Sequence, residues 1–164
     1  MDEIIGYKSF NKDFETFNNI KMEPNKIYET DDNIKYHRHG YHFAERLEDT
    51  LRYVNGLDEE VKLCRIKALG LIDWYDDEYY GYYDLGCTNK ILIDKLLKRE
   101  EIIDYALKLY EYRLIRFIRG YKLTKEELEL FKSIYKRKES VLNFISYFQE
   151  KDYDVFKRKY TLKK

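Results

Sequence analysis

The chain has 164 residues, enough for one buried core with an appendage, and its 44% apolar content leans on 18 tyrosines and 9 phenylalanines. With 38% charged residues it has no apolar run of membrane-spanning length, and Met1-Asp2-Glu3 lacks the basic and apolar regions of a secretory signal, so the expectation is a cytoplasmic protein without a membrane span. The net charge of zero hides a division: residues 1–90 carry 12 Lys and Arg against 19 Asp and Glu, and residues 91–164 carry 19 against 12.

In chain order, Ile4-Ile5-Gly6-Tyr7-Lys8-Ser9-Phe10 is rich in β-formers and predicts a strand. The only proline, Pro24, sits at the second position of Glu23-Pro24-Asn25-Lys26, a predicted type I turn that would lead Ile27-Tyr28-Glu29-Thr30 into a hairpin or meander. After Asp31-Asp32-Asn33, residues Ile34 to His39 alternate weakly as a strand, and Gly40 punctuates them before Tyr41-His42-Phe43-Ala44. Leu47, Leu51 and Val54 have the three-and-four spacing of an amphipathic helix over Glu45–Val54. Val61 and Leu63 alternate with Lys62 and Cys64 in a strand that runs toward Ile72. Cys64 and Cys87, the only cysteines, read as reduced core thiols.

From Lys98 the period becomes helical, with an apolar stripe from Ile102 to Ile118 that Gly120 stops. Thr124 and Glu127 form a capping box for a second helix, which Ser140 would break in two. A last segment, Tyr153 to Tyr160, docks through Val155 and Phe156. The fold expected is α+β: a small, mostly antiparallel sheet with one packed helix over residues 1–97, followed by a helical hairpin or small bundle over 98–164.

Three segments concentrate chemistry. His37, His39 and His42 are all the histidines of the chain; in an extended segment His37 and His39 share a face, with His42 brought in by the bend at Gly40, so the three are candidate metal ligands, weighed against a polar strand with one packed histidine. Asp73, Trp74, Tyr75, Asp76, Asp77, Glu78, Tyr79 and Tyr80 open the most biased stretch, and no basic residue lies between Lys67 and Lys90. Carboxylates mixed with planar rings suit a basic partner, steered by charge, so these eight residues are the candidate partner-binding set; the alternative is an acidic hairpin whose alternate tyrosines face the core. Arg113, Arg116 and Arg119 recur every three residues and are candidate nucleic-acid contacts, a reading ranked third because the same helices carry Glu126, Glu127 and Glu129.

Tyr7-Lys8-Ser9-Phe10-Asn11-Lys12-Asp13, Lys26-Ile27-Tyr28-Glu29 and Gly40-Tyr41-His42-Phe43 together resemble an uncharacterised domain of bacteriophage and mobile-element proteins, over about residues 5–97. That domain's pattern has no histidine at positions 37 and 39, so the resemblance carries over His42 alone. A strand with an aromatic, then Gly-aromatic-His-aromatic, then a helix is also similar to the opening of ADP-ribosyltransferase-like domains. That similarity implies an NAD cleft lined by Tyr7, His42 and Tyr53, with Glu78 as the catalytic carboxylate. The leading expectation is a non-enzymatic protein that blocks a host protein or ribonucleoprotein with a basic surface, in the manner of an anti-CRISPR inhibitor, and needs no cofactor. Divided charge is equally consistent with head-to-tail self-association and with the basic helices docking on the acidic half.

Overall fold

The structure, a computed structural model, describes residues 3–36, 38–75 and 84–150. Seven strands form one antiparallel sheet: β1 (Ile4–Asn11), β2 (Ile27–Glu29), β3 (Tyr41–Ala44), β4 (Val61–Ala68), β5 (Ile72–Trp74), β6 (Leu85–Thr88) and β7 (Lys90–Leu96), in the order β2-β7-β4-β1-β3-β6-β5. A short helix α1 (Leu47–Thr50) runs into a 3-10 turn, Leu51–Tyr53, and after the sheet come α2 (Arg99–Ala106), α3 (Glu111–Gly120), α4 (Lys125–Ile134) and α5 (Glu139–Ile145). The α+β expectation holds. Among the described residues no helix is long and apolar enough to cross a membrane.

Period-two alternation sorts β1 and β4 onto two cores. Phe10, Cys64, Ile66, Ile91 and Ile93 join Met22 and Phe43 on one face, beneath Phe14 and Tyr28. Leu63, with Tyr7 beside it, turns the other way into a larger cluster with Leu47, Leu51 and the apolar faces of α2, α3, α4 and α5. A third group, Tyr36, Ala44, Leu85 and Cys87, lies toward the β5 end.

Several local expectations need correction. Ile27–Glu29 does not pair with β1; it pairs with β7 and forms the far edge of the sheet, a non-local partner that local turn chemistry does not specify. The Pro24 turn places Asn25 at φ +62°, which marks type II rather than type I, a conformation asparagine tolerates better than most residues. The described residues between Ile34 and His39 do not form a strand: Lys35 and His39 pair with each other in an isolated bridge, after which Gly40, at φ +115°, takes a backbone conformation that L side chains rarely adopt. The stripe from Ile102 to Ile118 is split between α2 and α3, because Tyr110 leaves the helix in extended conformation and caps α3.

The capping box forms as read: Thr124 Oγ1 accepts from Glu127 N (3.2 Å) and Glu127 Oε2 accepts from Thr124 N (2.8 Å). Glu127 also receives both arms of the Arg99 guanidinium at 2.7 Å, which ties α2 to the start of α4. The break between α4 and α5 lies at residues 135–138, just before Ser140. Buried Gln149 donates to the carbonyls of Ile118 (2.5 Å) and Tyr121 (2.8 Å), which satisfies acceptors at the α3 terminus. The segment Tyr153 to Tyr160 lies outside the described residues.

Candidate functional site

β1 and β3 carry the two strongest motifs, Tyr7-Lys8-Ser9-Phe10 and Gly40-Tyr41-His42-Phe43, and they are neighbours in the sheet. Tyr7↔Ala44 is the only residue pair in register between them, against eight between β1 and β4. At the crossing a Cβ on Gly6 would lie 2.7 Å from the Ala44 carbonyl oxygen, so a side chain there would force the strands apart. Beyond it they diverge, and Lys8 bridges the gap by donating from Nζ to the His42 carbonyl at 2.5 Å. Ser9 Oγ donates to the Thr50 carbonyl (2.8 Å), fixing the same stretch of β1 to α1.

The seam encloses a cavity of ≈ 10 Å³ lined by Tyr7, Lys8, Ser9, His42, Thr50 and Tyr53, among others. Phe17 closes it from outside, stacked on Tyr53 at 5.7 Å and edge-on to His42 at 6.3 Å. Tyr36 and Tyr53 share a hydroxyl hydrogen bond, and the Tyr36 ring meets His42 edge-on at 4.9 Å. Burial raises the phenol pKa of Tyr36 and Tyr53, so both remain protonated at neutral pH. Burial also lowers the Lys8 ammonium from 10.5 to about 8. The three residues expected to line a cleft, Tyr7, His42 and Tyr53, are therefore brought together, around a space that holds about one water.

The two described histidines, His39 and His42, have different surroundings. His39 Nε2 contacts Asp31 Oδ1 and Thr30 Oγ1, both at 3.2 Å, while His42 is buried among aromatic rings, and His37 lies outside the described residues. Among the described residues no group of three His, Cys, Asp or Glu side chains could hold a metal ion.

Of the partner-binding candidates, Asp73 and Trp74 lie on β5, the last strand on that side of the sheet, which pairs only with β6, and Tyr75 follows it. Trp74 is 40% exposed and meets Phe43 edge-on at 5.6 Å. Asp73 Oδ2 accepts from the Tyr36 amide (2.8 Å), and the Tyr75 ring packs on Tyr36 at 4.7 Å, so these two hold the edge to the body. Asp84, at the far end of the connection, pairs with Arg46 Nε at 3.3 Å. Asp76, Asp77, Glu78, Tyr79 and Tyr80 lie outside the described residues, and with Glu78 goes the nominated catalytic carboxylate.

Two arginines of the stripe, Arg113 and Arg116, are engaged in ion pairs. Arg113 is buried: its Nη1 donates to both oxygens of Asp49 (2.9 and 3.1 Å), and its Nε stands 3.3 Å from Glu48 Oε1. Arg116 adds a second donor to Asp49 Oδ1 at 2.9 Å, and Tyr105 donates its hydroxyl to Glu48 Oε2 at 2.8 Å. Arg113 and Arg116 thus hold the first half of the chain to the second rather than standing free for a phosphate backbone, and Arg119 alone is exposed, over the Phe148 ring at 5.4 Å. Glu48, Asp49 and Lys8 escape the reading of charge runs. Their signals are positional: Arg113 sits four residues before Phe117 in the apolar stripe of α3, and Lys8 shares the β1 face of Phe10.

Residues 4–103 match the model of the domain of unknown function DUF7666. The chain belongs to that family. No curated protein and no solved structure matches it. The DUF7666 match begins at the first residue of β1 and ends inside α2, so it takes in the whole sheet, the Lys8–His42 seam and Glu48 and Asp49, while Arg113 and Arg116 come from beyond it.

Proposed function

We propose that this DUF7666 chain is a non-enzymatic interaction protein of phage or mobile-element type, which acts in the host cytoplasm by binding and blocking a partner with a basic surface. A nucleic-acid-guided defence complex is the concrete target. The observation that carries the reading is the edge: the sheet ends in β5, with exposed Trp74, at the point where the chain enters five acids and five tyrosines without a basic residue. Acids in a segment that follows the edge strand steer encounter with a cationic groove, and an aromatic anchor supplies the desolvated contact. A guide-loaded nuclease of the host should lose DNA cleavage with the wild-type chain in stoichiometric amount and keep it with Asp76→Lys, Asp77→Lys and Glu78→Lys combined. Full cleavage at a large excess of wild type sinks this reading.

The meeting of Tyr7, His42 and Tyr53 favours one second reading, an ADP-ribosyltransferase-like enzyme using NAD. A cavity of ≈ 10 Å³ weighs against it, since a dinucleotide would need Phe17 to leave and the strands to part. NAD consumption by the wild type, abolished in a folded His42→Ala variant, would establish it; none with the wild type removes it.

A further inference from the structure

The connection between the 3-10 turn and β4 is docked on the end of α3 through Gly56. Its carbonyl accepts from the Lys122 amide at 2.9 Å, and a Cβ on it would collide with the Gly120 carbonyl oxygen, so a side chain there would force the joint apart. Asn55, immediately before it, is exposed and shapes the connection twice over. Its carbonyl accepts from the amides of Asp58 (3.1 Å) and Glu59 (2.9 Å), and its Nδ2 donates to Asp58 Oδ2 at 2.6 Å. The amides that close this turn are those of Asp58 and Glu59, so closure makes no demand on the Gly56 nitrogen. Asn55 is also the only asparagine in the chain followed by glycine; Asn19, Asn25 and Asn33, for example, precede Ile20, Lys26 and Ile34.

We propose that Asn55 is a site of spontaneous deamidation, with water as co-reactant, and that the product loosens the joint at Gly56. The Gly56 nitrogen attacks the side-chain carbonyl carbon of Asn55 and forms a new C–N bond. The bond from that carbon to Nδ2 breaks, ammonia leaves with the backbone amide proton, and a succinimide ring results. Water then opens the ring at either carbonyl to aspartate or isoaspartate, so one water is consumed, one ammonia is released, and nothing is oxidised or reduced. Two features select Asn55. Glycine puts no Cβ in the path of its own nitrogen, and the exposed side chain leaves its carbonyl carbon open to attack and the ring open to water. The product acts on the joint in two ways. The donor to Asp58 becomes a carboxylate beside a carboxylate, so an attraction turns into repulsion. Isoaspartate also routes the backbone through an extra methylene immediately before Gly56, where the contact with Gly120 has no slack.

The test ages the full chain at physiological temperature and mildly alkaline pH, where the attacking amide loses its proton more readily, and maps its tryptic peptides by mass. The peptide holding Asn55 should gain one mass unit before any other asparagine peptide does, and should score for isoaspartate. Asn55→Gln, whose side chain would have to close a six-membered ring, should show no gain in that peptide over the same period. Asn55→Asp, which fixes one product in place, should melt about 3 °C below the wild type, the loss of one hydrogen bond. Three results overturn the proposal: an earlier gain at another asparagine, an equal gain in wild type and Asn55→Gln, or an Asn55→Asp chain that melts with the wild type.

Discussion

Arg113→Met should cost about 3–5 kcal/mol of folding stability, because it leaves the carboxylates of Glu48 and Asp49 buried without their main counter-charge. The Arg113 side chain is 4% exposed and both carboxylate side chains 0%, so water cannot replace the guanidinium without opening the contact between α1 and α3. Arg116 would still hold one oxygen of Asp49 and Tyr105 one oxygen of Glu48, too little to neutralise two charges in a medium of low dielectric. Adding Glu48→Gln and Asp49→Asn to Arg113→Met should recover part of the loss, since amides carry no charge to desolvate. Urea denaturation of the three chains measures both effects. A loss within about 1 kcal/mol for the single variant would put the triad among ordinary surface pairs.

The second large effect belongs to Lys8 and appears only as pH is varied. Its ammonium is lowered from 10.5 to about 8 by burial in the folded chain, while the unfolded chain keeps the ordinary value. Between those two pH values the unfolded state binds more protons than the folded state, so stability rises with pH across the window. The cost of burying the charge is present in full below pH 8 and gone by 10.5. Its size is roughly 3 kcal/mol. Tyr36, Tyr53 and Tyr105, raised mainly by burial, act in the opposite sense above pH 10 as the unfolded phenols ionise. They are common to wild type and Lys8→Met, so the difference between the two chains isolates Lys8. That difference, measured by chemical denaturation at pH 7.5 and again near 10.5, should move by roughly 3 kcal/mol in favour of wild type. A difference independent of pH would mean that Lys8 stays charged in the folded state.

The sequence spoke plainly where a signal is local. Alternation marks β1 and β4, and Thr124 with Glu127 marks the start of α4. Where the deciding contact is distant it was silent: nothing near Ile27 says that its partner is Leu92, and nothing near Leu107 breaks a stripe that continues in phase on both sides. Of the site, the meeting of Tyr7, His42 and Tyr53 was legible because two motifs single out Tyr7 and His42. The triad was not, because Glu48 and Asp49 in one helix and Arg113 in another look like solvated charges until the two helices are placed in contact.

The single register pair between β1 and β3 makes the sheet two rafts moored at one point. On one side β2, β7, β4 and β1 are laced by long ladders; on the other β3, β6 and β5 are laced to each other, and Tyr7↔Ala44 with the Lys8 tether spans the gap. Such a seam can part without melting either raft, so the backbone amides of β3, β6 and β5 can exchange with solvent as one cooperative unit below the free energy of global unfolding. The proposed partner edge rides on that smaller raft, and its position relative to the larger one is set by the Tyr7↔Ala44 pair, the Lys8 tether and the Phe43 ring packed among Phe10, Cys64 and Ile66.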